Sequence, residues 1–223
     1  MKSLILINFK VYPEAIGKKG ILLSRKIAKV KSKKYQIAIS PTILDVVEIA
    51  RTLKNRKHSL LLFAQHSDSN ELGAHTGSVT LEELKAWKIN GVIINHSENR
   101  LNFSEIKREV EKCRKLRMLS VVCASKLKDI ENIAKTKPDY VAYEPAELIG
   151  GNVSVTSANP KIILQAAALI KKNNPKTKLL CGAGIHSRED LIQTLKLGAQ
   201  GVLLAHAVVK SKNPQKFLEE MLR

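Results

Sequence analysis

The chain has 223 residues, with 38 Lys+Arg against 20 Asp+Glu for a formal charge of +18, and 44% of it is hydrophobic. That is enough apolar material for one large domain, expected over residues 1–223, and it excludes disorder as the main state. The longest apolar stretches, such as Ser59 to Ala64 and Gly201 to Ala205, fall far short of the roughly 20 residues a membrane span needs, and the N-terminal apolar run is broken by Asn8 and Lys10 before it reaches secretory length, so a cytoplasmic protein without a membrane partner is expected.

In chain order, short β-branched or leucine-rich runs alternate with amphipathic segments. Leu4–Phe9 opens the series, and Ile16, Gly20, Leu23, Ile27 and Val30 follow at helical spacing. Tyr35–Ser40 is the second run, followed by Val46, Ile49 and Leu53, and Ser59–Gln65 is the third. Gly91–Asn95 precedes the helical set Phe103, Ile106, Val110 and Cys113; then come Leu119–Ala124, Tyr140–Tyr143, Lys178–Cys181 and Val202–Ala205. Eight βα units are the count of a closed parallel barrel, and near-continuous apolar runs suit strands buried on both faces. Helix-start signals agree: Thr80-x-x-Glu83 and Ser187-x-x-Asp190 resemble capping boxes, and Asn159-Pro160 and Asn213-Pro214 pair a cap residue with proline at the first helical position. An open doubly wound sheet is the structural competitor, but no Gly-x-Gly-x-x-Gly follows the first strand. A single (β/α)8 barrel is the expected architecture.

The basic surplus is spread in short clusters, at Lys31 to Lys34, Lys54 to Lys57 and Arg114 to Arg117, each ending a periodic apolar segment, where cations complement the helix dipole. Aromatics are only 4% and do not interleave with these clusters, which argues against nucleic acid as the main partner. Such a surplus can instead steer a small dianion. Cys113, Cys123 and Cys181 lack a Cys-x-x-Cys spacing and read as reduced core residues. His58, His66, His75 and His186 lack zinc-site spacing, so no metal is expected, and no nucleotide loop or other cofactor motif is present. Trp87, one helical turn after Leu84, reads as core or interface packing.

In a closed parallel barrel, function collects where strands end and the following loops begin. Polar or glycine-rich residues stand there in four places: Asn8 and Lys10, Asn95-His96-Ser97-Glu98, Glu144-Pro145, and Gly182-Ala183-Gly184. A lone histidine or lysine at such a point is commonly structural or solvated; four signals converging on one rim are not so easily dismissed.

These motifs resemble those of the triosephosphate isomerase family. Asn8-Phe9-Lys10 is similar to its Asn-x-Lys after the first strand, Asn95-His96-Ser97-Glu98 to its histidine motif, and Tyr143-Glu144-Pro145 with Ala146 to Gly150 to its glutamate and lid. Gly73-Ala74-His75-Thr76-Gly77 looks like its protruding third loop, and Cys181-Gly182-Ala183-Gly184-Ile185 like its seventh, in register from Leu4 to Lys210. The chain resembles the short, archaeal-type branch, with Glu147 where many longer members carry a lid tryptophan and Ala205-His206-Ala207 where the branch typically has Ala-Ser-Gly.

The resemblance implies an isomerase that interconverts dihydroxyacetone phosphate and glyceraldehyde 3-phosphate without a cofactor. It implies Glu144 as base, His96 as neutral electrophile, Lys10 as the cation opposing enediolate charge, and Asn8 as a polar contact beside it. A helix N-terminus after the fourth strand is expected to oppose protonation of His96. Glu98 either pairs with Lys10, as the corresponding acid does in the family, or simply opens the next helical segment. Ile149 and Gly150 in the lid, Gly184, Ala205 and His206 are expected at the phosphate, the last four through backbone N–H groups. Thr76 is expected to reach a neighbouring subunit's Asn-Lys pair, in a homodimer or a tetramer of dimers. The alternatives are another phosphate-binding sugar-phosphate barrel, or an inactive basic barrel that binds nucleic acid.

Overall fold

Each short apolar run forms a strand. The computed structural model describes residues 2–54, 58–145, 160–182 and 184–223. Its strands are β1 (Ser3–Asn8), β2 (Tyr35–Ser40), β3 (Leu61–Ala64), β4 (Gly91–Ile94), β5 (Leu119–Ala124), β6 (Tyr140–Tyr143), β7 (Lys178–Cys181) and β8 (Gly201–Leu204). They close in sequence order into a barrel in which every pairing is parallel and β8 returns to β1. The described helices are α1 (Gly17–Ile27), α2 (Ile43–Leu53), α3 (Leu81–Ala86), α4 (Phe103–Leu116), α5 (Leu127–Lys135), α6 (Pro160–Asn173), α7 (Arg188–Lys196), α8 (His206–Val209) and α9 (Pro214–Met221).

Local chemistry sets the helix ends. The Thr80 hydroxyl accepts the Glu83 N–H at the start of α3, Ser187 and Asp190 cap α7 reciprocally, and Asn213 accepts the Lys216 N–H ahead of α9 with Pro214 at its first position. Asn102 and Glu105 form a further reciprocal box on α4. Cations occupy the last turns of α1 (Arg25, Lys26), α4 (Arg114, Lys115) and α6 (Lys171, Lys172), where the dipole favours them. Asn159, and residues 55–57 of the Lys54 to Lys57 cluster, lie outside the described residues.

The pleat divides the apolar residues into two shells. Leu4 and Leu6 of β1, Ala38 of β2, Phe63 of β3, Ile93 of β4, Val121 and Cys123 of β5, Ala142 of β6, Leu180 of β7 and Leu203 of β8 fill the lumen. Their neighbours of opposite parity, such as Ile5, Ile7, Ile39, Val92, Val122 and Val141, pack outward against the helices. The lumen is a solid core, so the barrel offers a binding surface only at its ends. Two residues beyond the last lumen residue of each strand, the same parity leads to Asn8, Ser40, Gln65, Asn95, Ser125, Glu144, Gly182 and Ala205 at the C-terminal mouth. Apolar filling gives way there to polar groups and, on β7 and β8, to the small residues Gly182 and Ala205.

Trp87 is not a core residue. It caps α3 at its C-terminal end, is 38% exposed, and carries the Arg51 guanidinium 4.6 Å from its ring centroid. Cys113, Cys123 and Cys181 are all buried and form no disulfide. Among the described residues no helix is long and apolar enough to cross a membrane.

Candidate active site at the barrel mouth

The end of β1 supplies Asn8 and Lys10. Asn8 is 5% exposed, and Lys10 adopts a left-handed backbone (φ 48°), which turns its chain back so that its N–H donates to Asn8 Oδ1 at 2.9 Å. Gln65, from the end of β3, locks this turn: its Nε2 donates to Asn8 Oδ1 (3.2 Å), the Lys10 carbonyl (3.1 Å) and the Ser40 carbonyl (3.0 Å). An uncommon backbone conformation is thus held by a half-buried amide. The Lys10 side chain then crosses to the β4 loop, where Nζ meets Glu98 Oε1 at 2.6 Å.

The end of β4 supplies His96. Asn95, also left-handed (φ 59°), donates from Nδ2 to the Cys123 carbonyl at 3.0 Å and accepts the Leu101 N–H at 3.0 Å. His96 Nδ1 accepts the Glu98 N–H at 3.2 Å, so the neutral ring carries its proton on Nε2. Burial pushes the His96 pKa down, the nearby Lys10 charge pushes the same way, Glu98 opposes, and Arg100 adds to the lowering. The expectation that a helix N-terminus opposes protonation is corrected: a turn follows His96, and α4 begins only at Phe103. Cations and a backbone donor do what the dipole was expected to do. Glu98 does not open α4; it is the partner of Lys10.

The end of β6 supplies Glu144, 5% exposed, with its N–H on the Ala124 carbonyl at 2.9 Å. Opposite stands Gly182, where a Cβ would collide with Glu144 Cγ and sit 2.9 Å from Cδ and 3.0 Å from Oε1. No other residue leaves the carboxyl this space. Burial raises the Glu144 pKa to about 7, against the opposing pull of a hydrogen bond from Cys123 and of the Lys10 charge. Its Oε2 has no hydrogen-bond partner and lies 3.8 Å from His96 Nε2, too far for a hydrogen bond. A tuned carboxyl and a neutral imidazole N–H therefore face the same space, with Lys10 behind them. Such a set can move a proton between adjacent carbons while an oxygen is polarised.

Asn8, Lys10, His96, Glu98 and Glu144 come together at one rim. Gly184 (φ 64°) and Ala205 stand half-buried on the loops after β7 and β8, and the Ala205 carbonyl accepts the Val208 and Val209 N–H groups at the start of α8. His206 is exposed and packs edge-on against Tyr12, ring centroids 6.5 Å apart. Thr76 is exposed on the β3–α3 loop. Ile149 and Gly150 lie outside the described residues, as does Ala183. Sequence reasoning did not single out Gln65, Arg100 or the contact of Cys123 with Glu144. Gln65 had a signal: it has the parity of Phe63 and is the first polar residue after an apolar strand. Among the described residues, no three His, Cys, Asp or Glu side chains are grouped as metal ligands would be.

Comparison with known proteins gives the family. Residues 3–221 match the family described as Triosephosphate isomerase. The chain is 36% identical over 221 residues to the triosephosphate isomerase of Methanocaldococcus jannaschii, covering 99% of both chains. It is 39% identical over 222 residues to that of Sulfolobus acidocaldarius, covering 98% of this chain and 93% of the relative. The crystal structure of triosephosphate isomerase from Bartonella henselae shares the fold over 100% of both chains, with a TM-score of 0.78 at 17% identity. With the family matched across almost its whole length, the chain belongs to the triosephosphate isomerase family.

Proposed function

We propose that this chain is a cofactor-independent isomerase that interconverts dihydroxyacetone phosphate and D-glyceraldehyde 3-phosphate through an enediolate. The carrying observation is that Glu144, poised at about 7, and the Nε2–H side of neutral His96 face one space beside Lys10. The division of roles follows the family's general pattern. Glu144 takes a proton from the carbon next to the carbonyl, His96 Nε2–H donates to the oxygen that gains charge, and Lys10 opposes that charge. His96 passes its Nε2 proton to the charged oxygen and recovers one from the neighbouring hydroxyl, and Glu144 returns the carbon-bound proton to the neighbouring carbon, so the substrate is isomerised and the enzyme restored. A base near neutrality suits this cycle, since it must accept and release the same proton. Asn8 holds the Lys10 turn and adds a polar contact. Gly184, Ala205 and His206, with Ile149 and Gly150 of the lid, are assigned to the phosphate.

The active unit is a homo-oligomer, a dimer or a tetramer of dimers. Val11 (75% exposed), Ile43 and Leu44 (90% exposed) border a cleft of about 630 Å³ that also touches Gln65 and His66, immediately beside the Lys10 turn. An apolar cleft at the edge of a polar site fits the protruding loop of a second copy, whose residues 71–77 are exposed and carry Thr76 and Leu72. The deciding experiment is isomerisation of glyceraldehyde 3-phosphate by purified protein, coupled to reduction of the dihydroxyacetone phosphate formed, with Glu144→Gln beside it. Turnover lost in the variant supports the reading; no turnover in folded, oligomeric wild type rejects it.

A further inference from the structure

A second buried carboxyl lies outside the mouth, under the β3–α3 loop. Glu109 on α4 is 1% exposed; the buried Ser67 hydroxyl donates to its Oε2 at 2.6 Å, and its Oε1 has no partner. One turn along the same helix, Lys112 is also buried, and its Nζ donates to the Asn70 carbonyl, pairs with Glu82 of α3 at 3.0 Å and approaches Glu71 at 3.6 Å. Ser67 and Asn70 both belong to the loop. Its base is closed by Asp68, whose N–H donates to the Val79 carbonyl at 2.8 Å and whose Oδ2 accepts the Val79 N–H at 2.7 Å. Two buried ionisable groups on one helix thus grip a loop whose residues 71–77 are all exposed. Neither group touches the catalytic set, and burying both is costly without a task.

We propose that Glu109 and Lys112 are positioning residues that clamp the β3–α3 loop, and that the proton on Glu109 sets how firmly the loop is held. This rests on the reading of residues 71–77 as the segment that enters a second copy. The charged groups facing Glu109 are Asp68 on the loop and Glu105 and Lys112 on its own helix, with Glu82 of α3 and Glu71 engaged through Lys112. Burial pushes the Glu109 carboxyl up to about 7, Asp68 and Glu105 push the same way, and the Ser67 bond and Lys112 oppose. The folded pKa is therefore raised above the ordinary value of 4.5. The stabilisation from the neutral form is fully present below that ordinary value and is lost as pH rises through about 7. The same loop begins two residues after Gln65, so the clamp also bears on the amide that holds the Lys10 turn.

Hydrogen exchange of peptides covering 67–79, corrected for intrinsic rates, tests this alongside sedimentation, at about pH 5.5 and about pH 8.5. Wild type should lose protection in this loop by about tenfold or more at the higher pH, the change that one unit of pKa difference permits. Glu109→Gln, which keeps the shape and an acceptor for Ser67, should show no such loss. Lys112→Met should loosen the loop at both pH values. Ser67→Ala removes a bond that holds the Glu109 pKa down, so the midpoint of the loop's titration should move to higher pH, which a merely structural role would not cause. Equal pH dependence in wild type and Glu109→Gln, or an unmoved midpoint in Ser67→Ala, overturns the proposal. Loop protection that titrates in wild type while the protein sediments as a monomer at both pH values upholds the clamp and rejects the subunit-pairing reading instead.

Discussion

Glu144 and Glu109 are both buried carboxyls, and burial raises each to about 7. Their surroundings differ in what they leave open. Glu144 projects into the mouth with Oε2 unpartnered, His96 Nε2 3.8 Å away, and an empty side at Gly182 where any Cβ would intrude. Glu109 is pinned by Ser67 between a helix and a loop, with Lys112 one turn away and no neighbouring electrophile. A perturbed pKa alone therefore does not identify an active site; the open geometry around the group does.

The most severe way to break this contrast is to remove each carboxyl's charge in turn. Glu144→Gln should lower kcat by at least about 10²–10⁴-fold, the usual range for a general base, in a protein that still folds. Glu109→Gln should cost far less and show its effect in loop exchange and subunit pairing. A comparable loss of kcat in both variants would erase the distinction. Removing the buried charge should also stabilise each variant above about pH 7, since the raised pKa means that ionising Glu144 costs on the order of 3 kcal/mol. Thermal denaturation at about pH 8 reads that effect directly.

A smaller change sharpens the contrast without touching either carboxyl. Gly182→Ala places a methyl against Glu144 Cγ and within 3.0 Å of Oε1, so the carboxylate must move. Displacement of a reacting group by about 1 Å costs on the order of 10²-fold, and Gly182→Ala should approach that in kcat while leaving exchange in residues 67–79 as in wild type. Weaker again is the response to pH. With the folded Glu144 pKa at about 7 and the His96 pKa lowered, kcat/KM should be flat above about 7 and fall about tenfold per unit below it. A profile without that acid limb would remove Glu144 as the base.

The barrel was legible because its signal is periodic. Eight apolar runs with helical spacing between them required eight buried strands, and the capping residues at Thr80, Ser187 and Asn213 marked real helix starts. Boundaries drifted by a residue where a left-handed conformation ends the strand: Asn95 was counted with β4, yet its φ of 59° turns the chain out of the sheet. Asn8, Lys10, His96 and Glu144 were legible because each stands at the C-terminal end of such a run or within two residues beyond it. What holds them was not. Gln65 acts through three carbonyl-type acceptors that lie far from it in sequence, at Asn8, Lys10 and Ser40, and only the pairing of β1, β2 and β3 brings them to it. The Ser67–Glu109 bond likewise spans 42 positions, and a glutamate on an amphipathic helix reads as solvated until the loop above it is seen.

The smallest expected effect concerns Glu98, which stands between the two patterns: its Oε1 holds Lys10 at 2.6 Å, yet its side chain is 58% exposed. An ion pair so open to water contributes little by itself, so Glu98→Gln should change kcat/KM by no more than about fivefold. Its sign is informative. The Glu98 charge raises the pKa of both Glu144 and His96, so neutralising it should move the acid limb of the kcat/KM profile to lower pH. Loop exchange at 67–79, governed by Glu109, should not follow, because Glu98 is not among the charges that face that carboxyl. A limb that stays in place would mean that water screens Glu98 from the mouth entirely. A limb that moves together with the loop titration would mean that the two carboxyls are coupled, and that the mouth and the β3–α3 loop respond to protons as one unit.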